Sequence, residues 1–317
     1  EEVRLNELER INQELDLWTG RIESNYMIED KPVKVVVCAH QQKDRVAAKI
    51  QSPLIEEGRI KIKFDFPYGN DCHVCPGYDF ESTDKHISSE VRSHDKQSII
   101  KRQIDCTTFF THIAWNGNGN LNRIHNSHTF VLTPSTSEGT FEFTTTFATD
   151  SIFEKSDFPS TEQNSTEHWK QFWNSGAAID FTECTDPRAS ELERRVVLSQ
   201  YLTKIQCSGS LPPQETGLTM NSWYGKFHLE MHWWHAAHFP LWNRTDLLCK
   251  SLDWYLTILP EARELARSQG YVGARWPKMV GYNGHQTPSP VAPGLIWQQP
   301  HPMALAEMCY LSRPDPA

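Results

Sequence analysis

A change of hydrophobic rhythm near residue 155 constrains this chain most. Before it, LDLWTGRIES, VKVVVCAH, RVAAKIQS, RIKIKFDFPY and TFEFTTTFATD are short runs rich in Val, Ile, Phe and Thr, broken by Gly, Pro, Asn and Asp. That alternation is the signature of antiparallel strands. After it, apolar residues recur at helical spacing, as at Leu192, Val196, Val197, Leu202 and Ile205 in SELERRVVLSQYLTKIQ. STEHWKQFWNSGAAIDF, entered through a Ser or Thr N-cap, LEMHWWHAAHFPLW, LLCKSLDWYLTILPEARELARSQG (stopped by Gly270) and HPMALAEMCYLS are the other expected helices. Strands followed by helices point to two stacked domains rather than to βαβ units. The expected fold is multidomain, β then α, with domains at 1–155 and 156–317 and SDFPSTEQNST as the linker.

Charge narrows the partners. The 317 residues carry a formal net charge of −9, from 40 acidic against 31 basic side chains. That balance argues against a nucleic-acid partner, which calls for a basic patch. No run approaches the roughly 18 apolar residues of a membrane span. Of eight cysteines, only Cys72-His73-Val74-Cys75 has ligand-like spacing, with no second CxxC or HxxxH nearby. Two ordinary thiols or a local disulfide fit it better than a metal site. The sequons at Asn164 and Asn243 are compatible with a secreted or periplasmic location.

The densest chemistry lies in NSWYGKFHLEMHWWHAAH, residues 221–238, with four histidines, three tryptophans, a tyrosine, a lysine and a glutamate. Three readings compete. As a zinc site, His228, His232 and His235 share one helical face, but the first and third stand roughly 10 Å apart along the axis, too far for one ion. As a core helix, Met231, Trp233, Trp234, Ala236, Ala237 and Phe239 pack well, yet each buried histidine needs a partner. As a saccharide site, Tyr224, Trp233 and Trp234 offer flat faces beside His228, Glu230 and His232, the mixture a sugar ring needs. In that case Lys226, His228 and Glu230 alternate along an extended lead-in.

Two further segments carry similar residues. GARWPKMVGYNGHQTPSP (273–290) places Arg275, Trp276 and Lys278 in a Gly- and Pro-rich connection. IWQQPHP (296–302) places Trp297, Gln298, Gln299 and His301 just before a helix.

In this order, WYGKFH followed by a Trp-rich helix, GARWP, and a polar Trp297-to-His301 segment resemble the central catalytic domain of (α/α)6-barrel glycoside hydrolases, near the family 65-like proteins and the family 95 fucosidases. LDLWTGRIES, AHxxxDRVAAKIxSPLIEEGRI and FDFPYG resemble their N-terminal β-super-sandwich. The resemblance implies a super-sandwich followed by part of an (α/α)6 toroid. It also implies a saccharide pocket rimmed by Trp223, Lys226, His228, Glu230, His232 and Trp234, with Arg275 and Trp276 on the next loop and Gln298 and His301 on the third. Family 95 carries asparagines where this chain has Leu229-Glu230-Met231-His232, so fucose specificity does not transfer. In these families the general acid belongs to a later motif, which implies that this chain is part of a longer protein.

Within the chain, Glu230 is the candidate catalytic carboxylate, with Asp180, Glu183 and Glu215 as possible companions or plain surface groups. The expected function is hydrolysis of a glycosidic bond in an oligo- or polysaccharide, by inversion as the resemblance implies, with a carbohydrate partner and without a metal or other cofactor. Alternatives are a noncatalytic saccharide-binding protein on the same scaffold, and a zinc-dependent hydrolase using His228 and His232. Sugar identity, linkage and oligomeric state are not written in these features.

Overall fold

The computed structural model describes residues 3–287 and 294–312. Contacts divide the chain into Glu1–Gly69 with Tyr78–Asn174, and Asn70–Gly77 with Ser175–Ala317. The division thus falls at 174/175, beyond the expected 155/156. The reason is local: the expected linker is the start of a helix, α1 (Phe158–Asn174). Asp157 caps it, its Oδ1 accepting the Ser160 N–H at 2.9 Å, and Pro159 sits in the first turn, where a missing N–H costs nothing. The Ser160 hydrogen bonds hold the Asp157 carboxyl below the usual carboxylate range. Phe158, Thr161, Ser165, Trp169 and Phe172 recur every three or four residues and form the buried face.

Among the described residues the first unit contains thirteen strands: β1 Glu9–Asp16, β2 Arg21–Ile28, β3 Lys31–Ala39, β4 Arg45–Gln51, β5 Ile62–Asp65, β6 Tyr68–Gly69, β7 Tyr78–Asp79, β8 His86–His94, β9 Gln97–Ile104, β10 Thr107–Trp115, β11 Gly119–Arg123, β12 Thr129–Pro134 and β13 Thr140–Ala148. Eight form an antiparallel sheet in the order β1-β2-β3-β4-β13-β10-β9-β8; β11-β12-β5 form a second sheet, and β6 pairs with β7. Alternation along β3 and β4 sorts side chains to two faces. Val33 and Ile50 join Ile100, Ile113 and Phe141, facing Leu121, Phe130 and Leu132 of the smaller sheet. Val36, Cys38 and Ala47 point the other way and pack on Phe158 of α1. Each fully buried Ile, Leu or Phe contributes about 1.5–3 kcal/mol. The middle of the large sheet is therefore covered on both faces, while its edge strand β1 stays exposed.

The same unit buries a polar cluster. Arg102, 1 % exposed, donates to His86 Nδ1 at 2.8 Å and to Pro67 O at 2.9 Å, and also bonds Ser88. His128 bridges Ser88 at 2.7 Å and Thr83 O at 2.8 Å, and its ring stacks on His86 with centroids 3.7 Å apart. Asn164 lies inside α1 with its amide bonded to Gln41 and Gln42, whereas Asn243 is exposed on a turn.

The second unit comprises α2 (Ala189–Cys207), β14 (Phe227–His228), α3 (Leu229–Ala236), α4 (His238–Leu241), α5 (Thr245–Thr257), α6 (Leu259–Ser268), β15 (Met279–Val280) and α7 (His301–Ser312). The single helix expected over 247–270 is two. It breaks at Ile258, with Pro260 in the first turn of α6, because an interior proline removes a hydrogen bond. Gly270 follows α6 at φ 80°, the left-handed end expected of it. One core joins Leu229, Trp254, Tyr255, Ile258 and Val280; another joins Ala236, Phe239, Leu248 and Leu305. Among the described residues, no helix is long and apolar enough to cross a membrane.

Candidate functional site

A two-residue ladder assembles the site. β14 pairs antiparallel with β15, setting Phe227 opposite Val280 and His228 opposite Met279. The Leu229 N–H then donates to Lys278 O at 2.9 Å as α3 begins. Glu230 falls in the first turn of α3, where the exposed backbone N–H groups favour a carboxylate. The third segment closes on the other two: the Trp276 N–H donates to Gln299 Oε1 at 2.8 Å, and His301 Nδ1 lies 3.3 Å from Leu229 O.

Glu230 is the hub. Its Oε1 accepts Trp297 Nε1 at 3.0 Å; its Oε2 lies 3.2 Å from Lys278 Nζ and 3.3 Å from His228 Nε2. The Lys278 ammonium also stands 4.1 Å from the Trp223 ring centre, a cation–π contact. Trp223, Tyr224 and Gly225 take φ of 47°, 61° and 65°, three left-handed residues in succession. Such backbone costs of order 1–3 kcal/mol per non-glycine residue and gathers at functional sites. His73 clamps this turn, accepting the Tyr224 N–H on its carbonyl at 3.3 Å and setting its ring edge-on to Trp223 at 4.5 Å. Cys72 and Cys75 on either side of it are joined as a disulfide, the local pairing weighed above.

His228 is 1 % exposed, and burial pushes its imidazole down to about 4 although Glu230 pulls it up. It is therefore neutral at pH 7. Nε2 carries the proton, by inference from its carboxylate partner, and Nδ1 is left as an acceptor. Nδ1 is buried without a hydrogen bond; Glu215 Oε2 lies 3.4 Å away but off the line of one. Two proton acceptors thus face each other.

The remaining expected site residues divide. His232 is completely buried, its nitrogens 2.9 Å from the Tyr255 and Ser251 hydroxyls. It cannot rim a pocket, nor join His228 as a zinc ligand, since both ring nitrogens are taken. Gln298 is equally buried and donates to Trp276 O and Leu295 O. Trp276 packs edge-on to Tyr255 at 5.2 Å, and His301 stands 5.8 Å from the Trp233 ring; both are half-buried. The Arg275 guanidinium lies 6.0 Å from the Tyr271 ring centre. Lys226 is half-buried and Trp234 is 69 % exposed on α3. Asp180 bonds Thr182 in its own turn, which holds its carboxyl low, and Glu183 is exposed. The cation beside Glu230 is Lys278, not Lys226 or Arg275. The sequence named Lys278 and Trp297 within their segments but not as partners of Glu230, since that pairing follows from the β14–β15 ladder and the 297–301 closure.

No protein-family model and no curated protein matches this sequence. Solved structures do. The chain is similar to a protein assigned as a kojibiose phosphorylase, from the human microbiome, with a TM-score of 0.64 and 13 % identity over 90 % of this chain and 41 % of that one. It is also similar to a bacterial glucoamylase complexed with acarbose, with a TM-score of 0.54 and 10 % identity over 95 % and 47 % of the two chains. This chain spans less than half the length of either. At such identities the likeness is one of fold: a β-sandwich followed by part of an (α/α)6 toroid.

Proposed function

We propose that the chain is a carbohydrate-active module of the glycoside hydrolase type, gripping an oligosaccharide around Trp223, His228, Glu230 and Lys278, with Lys226, Trp234 and Arg275 toward the rim. One observation carries this reading: three separated segments converge on Glu230, which meets Lys278, His228 and Trp297 within 3.0–3.3 Å. The fold likeness to a phosphorylase and a glucoamylase, both named for saccharide chemistry, supports it.

The chemistry follows from the donors and acceptors. A sugar hydroxyl donating to His228 Nδ1 would relieve the facing pair of acceptors, while the Trp223 indole presents an apolar face to a pyranose ring. Glu215 and Glu230 lie against opposite nitrogens of one imidazole, at 3.4 and 3.3 Å. That arrangement holds the two acids within about 9 Å of each other, compatible with the roughly 6.5–9.5 Å of inverting glycosidases. Glu230 is the proposed catalytic carboxylate, with Glu215 as its partner. The three donors on Glu230 favour a second reading, a noncatalytic saccharide-binding module, because they already occupy both oxygens of its carboxylate.

The test is titration of the whole chain with a saccharide panel including kojibiose and acarbose. Cleavage products are then followed with and without inorganic phosphate. Glu230→Gln and Trp223→Ala are expected to weaken binding at least tenfold, about 1.4 kcal/mol, with folding kept. Binding unchanged in both variants ends the proposal. Binding lost without any cleavage by the parent chain selects the noncatalytic reading.

A further inference from the structure

Cys249 on α5 and Cys309 on α7 are 60 residues apart in sequence, yet their sulfurs lie 3.2 Å from each other. Both are half-buried, within reach of small thiol reagents. A disulfide needs the sulfurs at about 2.05 Å, so a small side-chain rotation closes the gap.

The seating of α7 gives such a bond a purpose. Leu305 is its one fully buried side chain among those described, with Met308 and Cys309 partly buried against the core around Leu248. Met303, Tyr310 and Leu311 are each more than 60 % exposed. A helix held along so narrow a strip opens locally at low cost. Yet α7 begins at His301, one residue beyond the Trp297–Gln299 stretch, so its position sets the third segment of the Glu230 cluster.

We propose that Cys249 and Cys309 form a disulfide that pins α7 to α5 under oxidising conditions. With oxidised glutathione as oxidant, one cysteine thiolate attacks its S–S bond, forming a mixed disulfide and releasing one glutathione thiolate. The second cysteine thiolate attacks the protein-side sulfur, forming the Cys249–Cys309 bond and expelling the second glutathione thiolate. Two electrons pass to glutathione, and the two cysteine protons end on its two thiols.

The experiment uses the whole native chain. It is incubated with oxidised glutathione, blocked with iodoacetamide and digested without reduction. Mass spectrometry is expected to find the peptides of Cys249 and Cys309 linked, with both thiols protected from alkylation. Closing a 60-residue separation restricts the unfolded chain, so the oxidised protein is expected to melt several degrees above the reduced one. Backbone amides of α7 are expected to exchange more slowly in the oxidised form. Cys309→Ser and, independently, Cys249→Ala should remove the link and the added melting temperature while keeping Cys72–Cys75. The proposal is overturned if both thiols stay alkylatable in protein whose Cys72–Cys75 bond is formed. It is equally overturned if linkage leaves melting and α7 exchange unchanged.

Discussion

Each unit buries a histidine cluster, and the two clusters differ in one respect. Around Arg102, every described ring nitrogen of His86 and His128 with a partner finds it in a guanidinium, a hydroxyl or a backbone carbonyl of the same unit. Around Glu230, His232 is saturated in the same way by Tyr255 and Ser251, but four residues earlier His228 keeps a buried Nδ1 with no hydrogen bond. Buried polar groups are ordinarily satisfied, so an orphaned acceptor facing a carboxylate invites an outside donor. His235 Nδ1 and His238 Nε2 are also buried without a hydrogen bond, so what sets His228 apart is the Glu215 carboxylate facing its Nδ1 at 3.4 Å.

The comparison can be broken most severely at Arg102. Arg102→Met would strip buried partners from Pro67, Ser88 and His86, at about 1–3 kcal/mol for each orphaned group. Urea unfolding of the first unit should shift by more than about 3 kcal/mol; a shift under about 1 kcal/mol would mean that the Arg102 hydrogen bonds do not hold the cluster together. Next comes His232→Ala, expected to destabilise the second unit by about 2–4 kcal/mol through a cavity and an unpaired Tyr255 hydroxyl. A saccharide-binding defect without that destabilisation would reverse its assignment as a brace.

Acid should act on both clusters together. Burial pushes His86 and His228 down to about 4 and His232 to about 3. Unfolded imidazoles titrate near 6.5, so between pH 6.5 and about 4 the unfolded chain binds protons that the folded one refuses. Stability therefore falls as pH drops through that window, by about 1–3 kcal/mol per histidine. Denaturation midpoints measured at pH 7, 6 and 5 should decline in order; a flat profile would show that these rings are not held neutral. The smallest effect belongs to Trp234→Ala. At 69 % exposure the indole should cost less than about 0.5 kcal/mol of stability, whereas a rim role predicts weaker saccharide binding by isothermal titration.

Legibility followed the range of the interactions. Strands such as RVAAKIQ and TFEFTTTFA were readable because one face meets a core and alternation records it. β1, ERINQELD, is exposed along its whole length and carries no such record. α1 was placed a turn and more too late because Asp-Phe-Pro-Ser reads equally as a linker or as a cap with a first-turn proline. At the site, the three segments could be named and Glu230 marked as the acid of the cluster. Lys278 and Trp297 could not be matched to it, since that depends on a ladder between residues 227–228 and 279–280.

The left-handed turn at Trp223, Tyr224 and Gly225 has a practical consequence. Two bulky aromatic residues hold a backbone shape that chains normally leave to glycine, so the decapeptide around them has no reason to keep it alone. Transplanted to another scaffold without His73 and Lys278, the stretch would relax and swing its indole away. Its grip is a property of the assembled molecule, and a search for short look-alike motifs would collect sequences that cannot reproduce it.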